Sequence, residues 1–164
     1  MDKAKIIFLD VDGVLNTLIN RKIQKQSGNS TVSDKIKIPG DKIFRLKRIV
    51  DATGAKIIMS SSWRLGFSNG CPSPAYINLN NQLRNYNIFC EGWTPVEKNR
   101  NRGIEIQWWL DSFFNKYGYY PQYVIIDDGR VGILDMHRGH LVRTHETYGL
   151  QDIHVTIAIN ILNS

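Results

Sequence analysis

The most constraining feature of this chain is an aliphatic run that stops on two acids and a glycine. Lys5-Ile6-Ile7-Phe8-Leu9 is continuous and rich in β-branched residues, the pattern of a strand covered on both faces of a parallel sheet. It ends in Asp10-Val11-Asp12-Gly13. Two carboxylates about 4 Å apart repel by about 4 kcal/mol at an effective dielectric near 20. A divalent cation removes that cost, and oxygen donors of this kind suit Mg²⁺. Gly13 allows a sharp turn and a close approach of backbone to a ligand. Acids before a glycine are also ordinary turn chemistry, so this pattern alone does not decide. It recurs, however: Tyr123-Val124-Ile125-Ile126 runs into Asp127-Asp128-Gly129. If those strands are neighbours, all four acids meet at one end of the sheet, where only a cation would make them tolerable.

Between these runs, strand and helix patterns alternate. Ala55 to Met59 reads as another buried strand, and Ile88-Phe89-Cys90 and Leu141-Val142-Arg143 as weaker ones. A helix capped by Asp41 would bury Ile43, Leu46 and Val50. A second covers roughly Ala75 to Tyr86, around Leu79 and Leu83. A third runs from about Arg102 to Tyr117, its aromatics Trp108, Trp109, Phe113 and Phe114 expected in the core. A last one, capped by Asp152, stacks Ile153, Ile157 and Ile161. Such alternation predicts a three-layer α/β/α sandwich around a central parallel sheet, with sites beyond the carboxyl ends of the strands. Two segments break the pattern and are expected as loops flanking the site: basic, aperiodic Asn16 to Pro39, and Arg64 to Pro74, rich in Gly, Ser and Pro. A length of 164 residues suits a single domain over 1–164, with a small insertion at about 16–40 that is too short for a large lid.

Composition narrows the partners. Lys and Arg number 21 against 15 Asp and Glu, a net +6 that favours a polyanion such as nucleic acid. The apolar runs are too short to span a bilayer, and Met1-Asp2-Lys3-Ala4-Lys5 lacks the build of a secretory leader, so a cytoplasmic protein without membrane contact is expected. Cys71 and Cys90 form no CxxC pair and are expected reduced. His137, His140 and His145 match no common zinc spacing and read as surface or loop residues. The chain has no GxxxxGK[ST] loop, which argues against an attached kinase activity.

Two groups sit where a phosphate would want them. Ser60-Ser61-Ser62-Trp63-Arg64 follows the second strand and offers hydroxyls, backbone donors and a guanidinium; Arg102 opens the aromatic helix. Singly, serine runs cap helices and arginines decorate surfaces. Trp63, beside Arg64, is a candidate for stacking on a base or for ordinary packing.

The order DVDGV, a strand ending in Ser, a basic residue at a helix start and a strand ending in Asp-Asp resembles the haloacid dehalogenase (HAD) superfamily. SSSWR, Glu91-Gly92-Trp93-Thr94-Pro95, Arg102-Gly103-Ile104-Glu105-Ile106 with Trp109-Leu110, and Gly149-Leu150 resemble, more narrowly, the compact HAD domains associated with Swiss Army Knife RNA repair proteins. The resemblance implies a Rossmannoid fold with a minimal cap and a Mg²⁺-dependent phosphatase. Asp10 would be the nucleophile forming an aspartyl-phosphate, and Asp12 the general acid and then base. Asp10, the Asp12 carbonyl, Asp127 and Asp128 would hold the metal. Ser60 would bind the phosphate oxygens, with Ser61, Trp63 and Arg64 beside it. Arg102 would stabilise the intermediate, with Lys98 as a rival for that role. The expected substrate is a terminal (3′) phosphate of RNA or DNA, in association with other repair enzymes. Alternatives are nucleotides or small phosphorylated metabolites, or a non-catalytic nucleic-acid-binding module on a HAD scaffold.

Overall fold

In a computed structural model, residues 3–65, 71–129 and 132–164 are described, and Gly66 to Gly70, within the expected Arg64–Pro74 loop, lie outside them. Five strands form one parallel sheet: β1 (Lys5–Leu9), β2 (Lys56–Met59), β3 (Cys90–Trp93), β4 (Gln122–Asp127) and β5 (Leu141–Arg143). Their order is β3-β2-β1-β4-β5. Sequence neighbours thus leave β1 in opposite directions, and the chain makes its topological switch between β1 and β4. That is where an α/β sheet opens a crevice at its carboxyl edge.

Alternation along the strands divides two cores. Ile7, Leu9, Ile57, Met59, Val124 and Ile126 face helices α2 (Gly40–Thr53), α3 (Pro74–Arg84) and α6 (Asp152–Leu162). Ile6, Phe8, Ile58 and Ile125 face α4 (Arg102–Tyr117) and α5 (Ile133–His137), through Ile106, Leu110 and Ile133. The expected three layers are present.

Four local expectations change. Asn16–Pro39 is not all loop: Leu18–Gln26 forms helix α1, capped by the Thr17 hydroxyl, which accepts from Asn20 N at 3.0 Å. In α2, Pro39 occupies the cap position, and Asp41 sits in the first turn, paired with Arg45. The inner face of α6 is Val155, Ala158 and Leu162, while Ile153 and Ile157 are exposed. This helix has apolar residues on every side, so spacing alone selects no face. Strand β3 begins at Cys90, because the Asn80 amide takes both backbone groups of that residue: Cys90 N donates to its Oδ1 at 2.7 Å, and its Nδ2 donates to the Cys90 carbonyl at 3.3 Å.

The aromatic helix is only partly core. Trp109 meets Phe8 edge-on at 5.3 Å, but Trp108 and Phe114 are exposed. Both cysteines are free thiols, Cys71 exposed and Cys90 buried, where burial pushes the thiol pKa up to about 12. His137 departs from the surface reading. It is buried, with Nδ1 2.9 Å from the Tyr123 hydroxyl and Nε2 2.9 Å from the Gly103 carbonyl, and so joins α5 to β4 and α4. The neutral ring satisfies both contacts if Nε2 donates and Nδ1 accepts.

Burial holds the His137 pKa below its ordinary 6.5. The unfolded chain therefore takes up this proton first as pH falls, and the stabilisation is complete above about 6.5 and declines below it. Denaturant unfolding at pH 7.5 and 5.5 should show the wild type losing stability at the lower pH, and His137→Gln losing less. An equal loss in both would exclude His137 as a source.

Candidate active site

The sheet ends in a polar row. The main chain of Thr94, Ser60, Asp10 and Thr144 continues the ladders: Thr94 N donates to Met59 O (2.9 Å), Ser60 N to Leu9 O (2.8 Å), Asp10 N to Ile126 O (3.0 Å) and Thr144 N to Asp127 O (3.0 Å). Parallel register thereby sets one buried polar side chain at the end of each strand, with Asp10 and Asp127 adjacent at the switch point.

Oxygens of Asp10, Asp127 and Asp128 lie within 4.8 Å of one another. Asp10 and Asp127 are 1% and 0% exposed, and Asp128 is half-buried. Val11 N donates to Asp10 Oδ1 (2.8 Å) and Gly129 N to Asp127 Oδ1 (3.0 Å), so backbone donors orient both carboxylates. Arg102 reaches between them, its Nη1 at 3.7 Å from Asp10 and 3.8 Å from Asp127. Lys98 is exposed on the turn before α4. Three hard carboxylate donors converging on one point suit a divalent cation.

Ser60 is buried, and among the described residues its hydroxyl has no hydrogen-bond partner, as a group waiting for a ligand oxygen would be. Ser61 is committed locally, its hydroxyl accepting from Trp63 N at 3.3 Å, and Ser62 is exposed. Two expected substrate contacts are corrected. Trp63 is 3% exposed and presents no face for stacking on a base; its indole N–H donates to Asp12 Oδ2 at 3.0 Å. Arg64 is equally buried. It bonds the carbonyls of Ser61, Thr94 and Pro95 and forms an ion pair with Glu105 at 2.6 Å, so its donors are spent inside the protein. Burial lowers its pKa, opposed by the Glu105 charge.

Sequence reasoning missed three supports. Glu105, one helical turn after Arg102 and 3.6 Å from its Nε, links the two arginines. Asn16 donates to Asp12 Oδ1 at 2.7 Å. The Thr144 hydroxyl donates to the Gly13 carbonyl at 2.7 Å, tying the β5 end to the first acidic loop. Glu105 had a signal, its i,i+3 spacing from Arg102; the other two depend on loop geometry. Gly13 adopts φ +80°, and a Cβ there would lie 2.5 Å from Asp128 Oδ2. The close approach expected of this glycine is therefore toward the second acidic loop.

With this geometry the class is settled by comparison. The family described as the HAD domain in Swiss Army Knife RNA repair proteins matches residues 6–155, and the chain belongs to it. No curated protein and no solved structure matches the chain significantly. No helix among the described residues is long and apolar enough to cross a membrane.

Two variants test this construction. Glu105→Ala leaves two guanidiniums buried beside each other and should destabilise the fold by about 3–5 kcal/mol in denaturant unfolding. A loss under about 1 kcal/mol would show that the ion pair is not desolvated. Gly13→Ala should strain the left-handed turn and displace Asp128, lowering both stability and divalent-cation affinity in calorimetric titration; wild-type affinity would contradict the close approach.

Proposed function

We propose that this chain is a Mg²⁺-dependent phosphomonoesterase acting through an aspartyl-phosphate, with a terminal phosphate of nucleic acid, preferably a 3′-phosphate, as substrate. The observation that carries the reading is the convergence of Asp10, Asp127 and Asp128 at the switch point, with Arg102 between the first two. Mg²⁺ held by Asp10, the Asp12 carbonyl and Asp127, with Asp128 as ligand or neighbour, would neutralise charge between nucleophile and phosphate. Asp10 attacks phosphorus in line, its new P–O bond forming as the bond to the leaving oxygen breaks. Asp12 gives that oxygen a proton, then removes one from the water that hydrolyses the aspartyl-phosphate. The Ser60 hydroxyl bonds a phosphate oxygen, and Arg102 opposes the charge gathered on the intermediate.

The substrate class follows from the net +6 charge, the family's RNA repair association and an insertion too short to form a large lid. An open site accepts a phosphate at the end of a large molecule. Action alongside other repair enzymes, in the cytoplasm, fits the same setting.

Phosphate release from 3′- and 5′-phosphorylated oligonucleotides should exceed release from mononucleotides, and the difference should shrink steeply as salt rises. Preference for mononucleotides at all salt concentrations would favour a metabolite phosphatase instead. Asp10→Asn should abolish turnover and phosphoenzyme trapping by acid quench; retained hydrolysis would exclude the covalent route, and no turnover by the wild type on any phosphomonoester would favour a binding module.

A further inference from the structure

We infer that Trp63 and Asn16 are positioning residues for Asp12, which together fix the plane of its carboxyl group for proton transfer. The inference rests on the acid role given to Asp12 above. Each carboxyl oxygen accepts one side-chain bond: Oδ1 from Asn16 Nδ2 at 2.7 Å and Oδ2 from Trp63 Nε1 at 3.0 Å. A carboxylate oxygen has two lone pairs, so each keeps one for the travelling proton while the group's rotation is fixed.

Both donors are held from behind. Trp63 is buried, its backbone N–H donating to the Ser61 hydroxyl and its backbone carbonyl accepting from the Ser73 hydroxyl. An indole N–H only donates, so its polarity at Asp12 is fixed. Asn16 belongs to a chain of amides running into α1. Its Oδ1 accepts from Asn20 Nδ2 at 3.0 Å, which also donates to the Lys37 carbonyl at 2.9 Å. That carbonyl only accepts, and it therefore orients the Asn20 amide, then the Asn16 amide, with Nδ2 toward Asp12. The polar side of α1 faces inward for this reason, while Leu18, Ile19 and Ile23 remain exposed.

A buried indole needs some acceptor, and a backbone carbonyl would serve packing equally well. Here the acceptor is the acid two residues beyond the nucleophile. Positioned acid catalysis contributes about 10²–10⁴-fold, and an error near 1 Å in reacting geometry costs about 10²-fold, so loss of one donor should be visible in rate.

The readout is leaving-group dependence. An alkyl phosphate needs a proton on its departing oxygen; 4-nitrophenyl phosphate does not. Because kcat/KM extends only through the first irreversible step, the ratio of aryl to alkyl kcat/KM reports the acid and not the later hydrolysis. The ratio should rise about tenfold or more in Trp63→Phe and in Asn16→Ala, and further in Asp12→Asn. Replacing Trp63 by its benzothienyl isostere, which keeps the ring and loses only the N–H, should raise it similarly without loss of folding. Without substrate or metal, the Trp63 indole N–H resonance of ¹⁵N-labelled protein should move in Asp12→Ala. An unchanged ratio in the isostere while Asp12→Asn responds, or an indole resonance indifferent to Asp12→Ala, would overturn the inference and leave the phosphatase reading standing. An unchanged ratio in Asp12→Asn itself would overturn the acid role and this inference with it.

Discussion

Two carboxylates buried side by side at the ends of adjacent strands form the constraint to which the surrounding structure answers. Asp10 and Asp127 continue β1 and β4, and strand register leaves them no route apart. Charges in that position are tolerated only with compensation, and backbone N–H groups and Arg102 supply part of it. Arg102 is itself buried, so it is steadied by Glu105, which Arg64 shares, and Arg64 is anchored on the carbonyls that close the β2 and β3 ends. The acid pair thus organises a network extending over most of the sheet's carboxyl edge.

The two acidic loops are also fitted to one another. Gly13 brings the first loop against Asp128 of the second, and Thr144 ties that first loop to the end of β5. Helix α1 adds a third layer of order, directing amides toward the site and leaving aliphatic residues outside, the reverse of an ordinary surface helix. Packing a core does not account for that orientation; holding the first acidic loop through Asn20 and Asn16 does.

The strand ends were the legible part of this sequence. A continuous aliphatic run ending in acids and glycine carries strand type, burial and position together, and so places Asp10, Asp12, Asp127 and Asp128 at strand ends from the sequence alone. Helix α4 occupies the expected Arg102–Tyr117, capped by the Asn101 side chain and closed by the left-handed Gly118. What local pattern does not encode is the direction a side chain takes when several apolar or polar faces are available. For that reason spacing selects neither the phase of α6 nor the helix in α1, and it leaves open whether Trp63 and Arg64 turn inward. An SSSWR run after a strand suggests a ligand cradle in either case; only tertiary placement shows the Ser60 hydroxyl buried without a hydrogen-bond partner among the described residues, while tryptophan and arginine turn inward as supports.

The central claim is that Asp10, Asp127 and Asp128 form one divalent-cation site. Calorimetric titration of Mg²⁺ into the wild type and Asp127→Asn, with thermal unfolding of both at saturating metal, tests it without any assumption about substrate. The wild type should bind one Mg²⁺ per chain with a rise in Tm, both greatly weakened in the variant. No Mg²⁺-dependent heat or Tm shift, or identical behaviour of the two proteins, would contradict it.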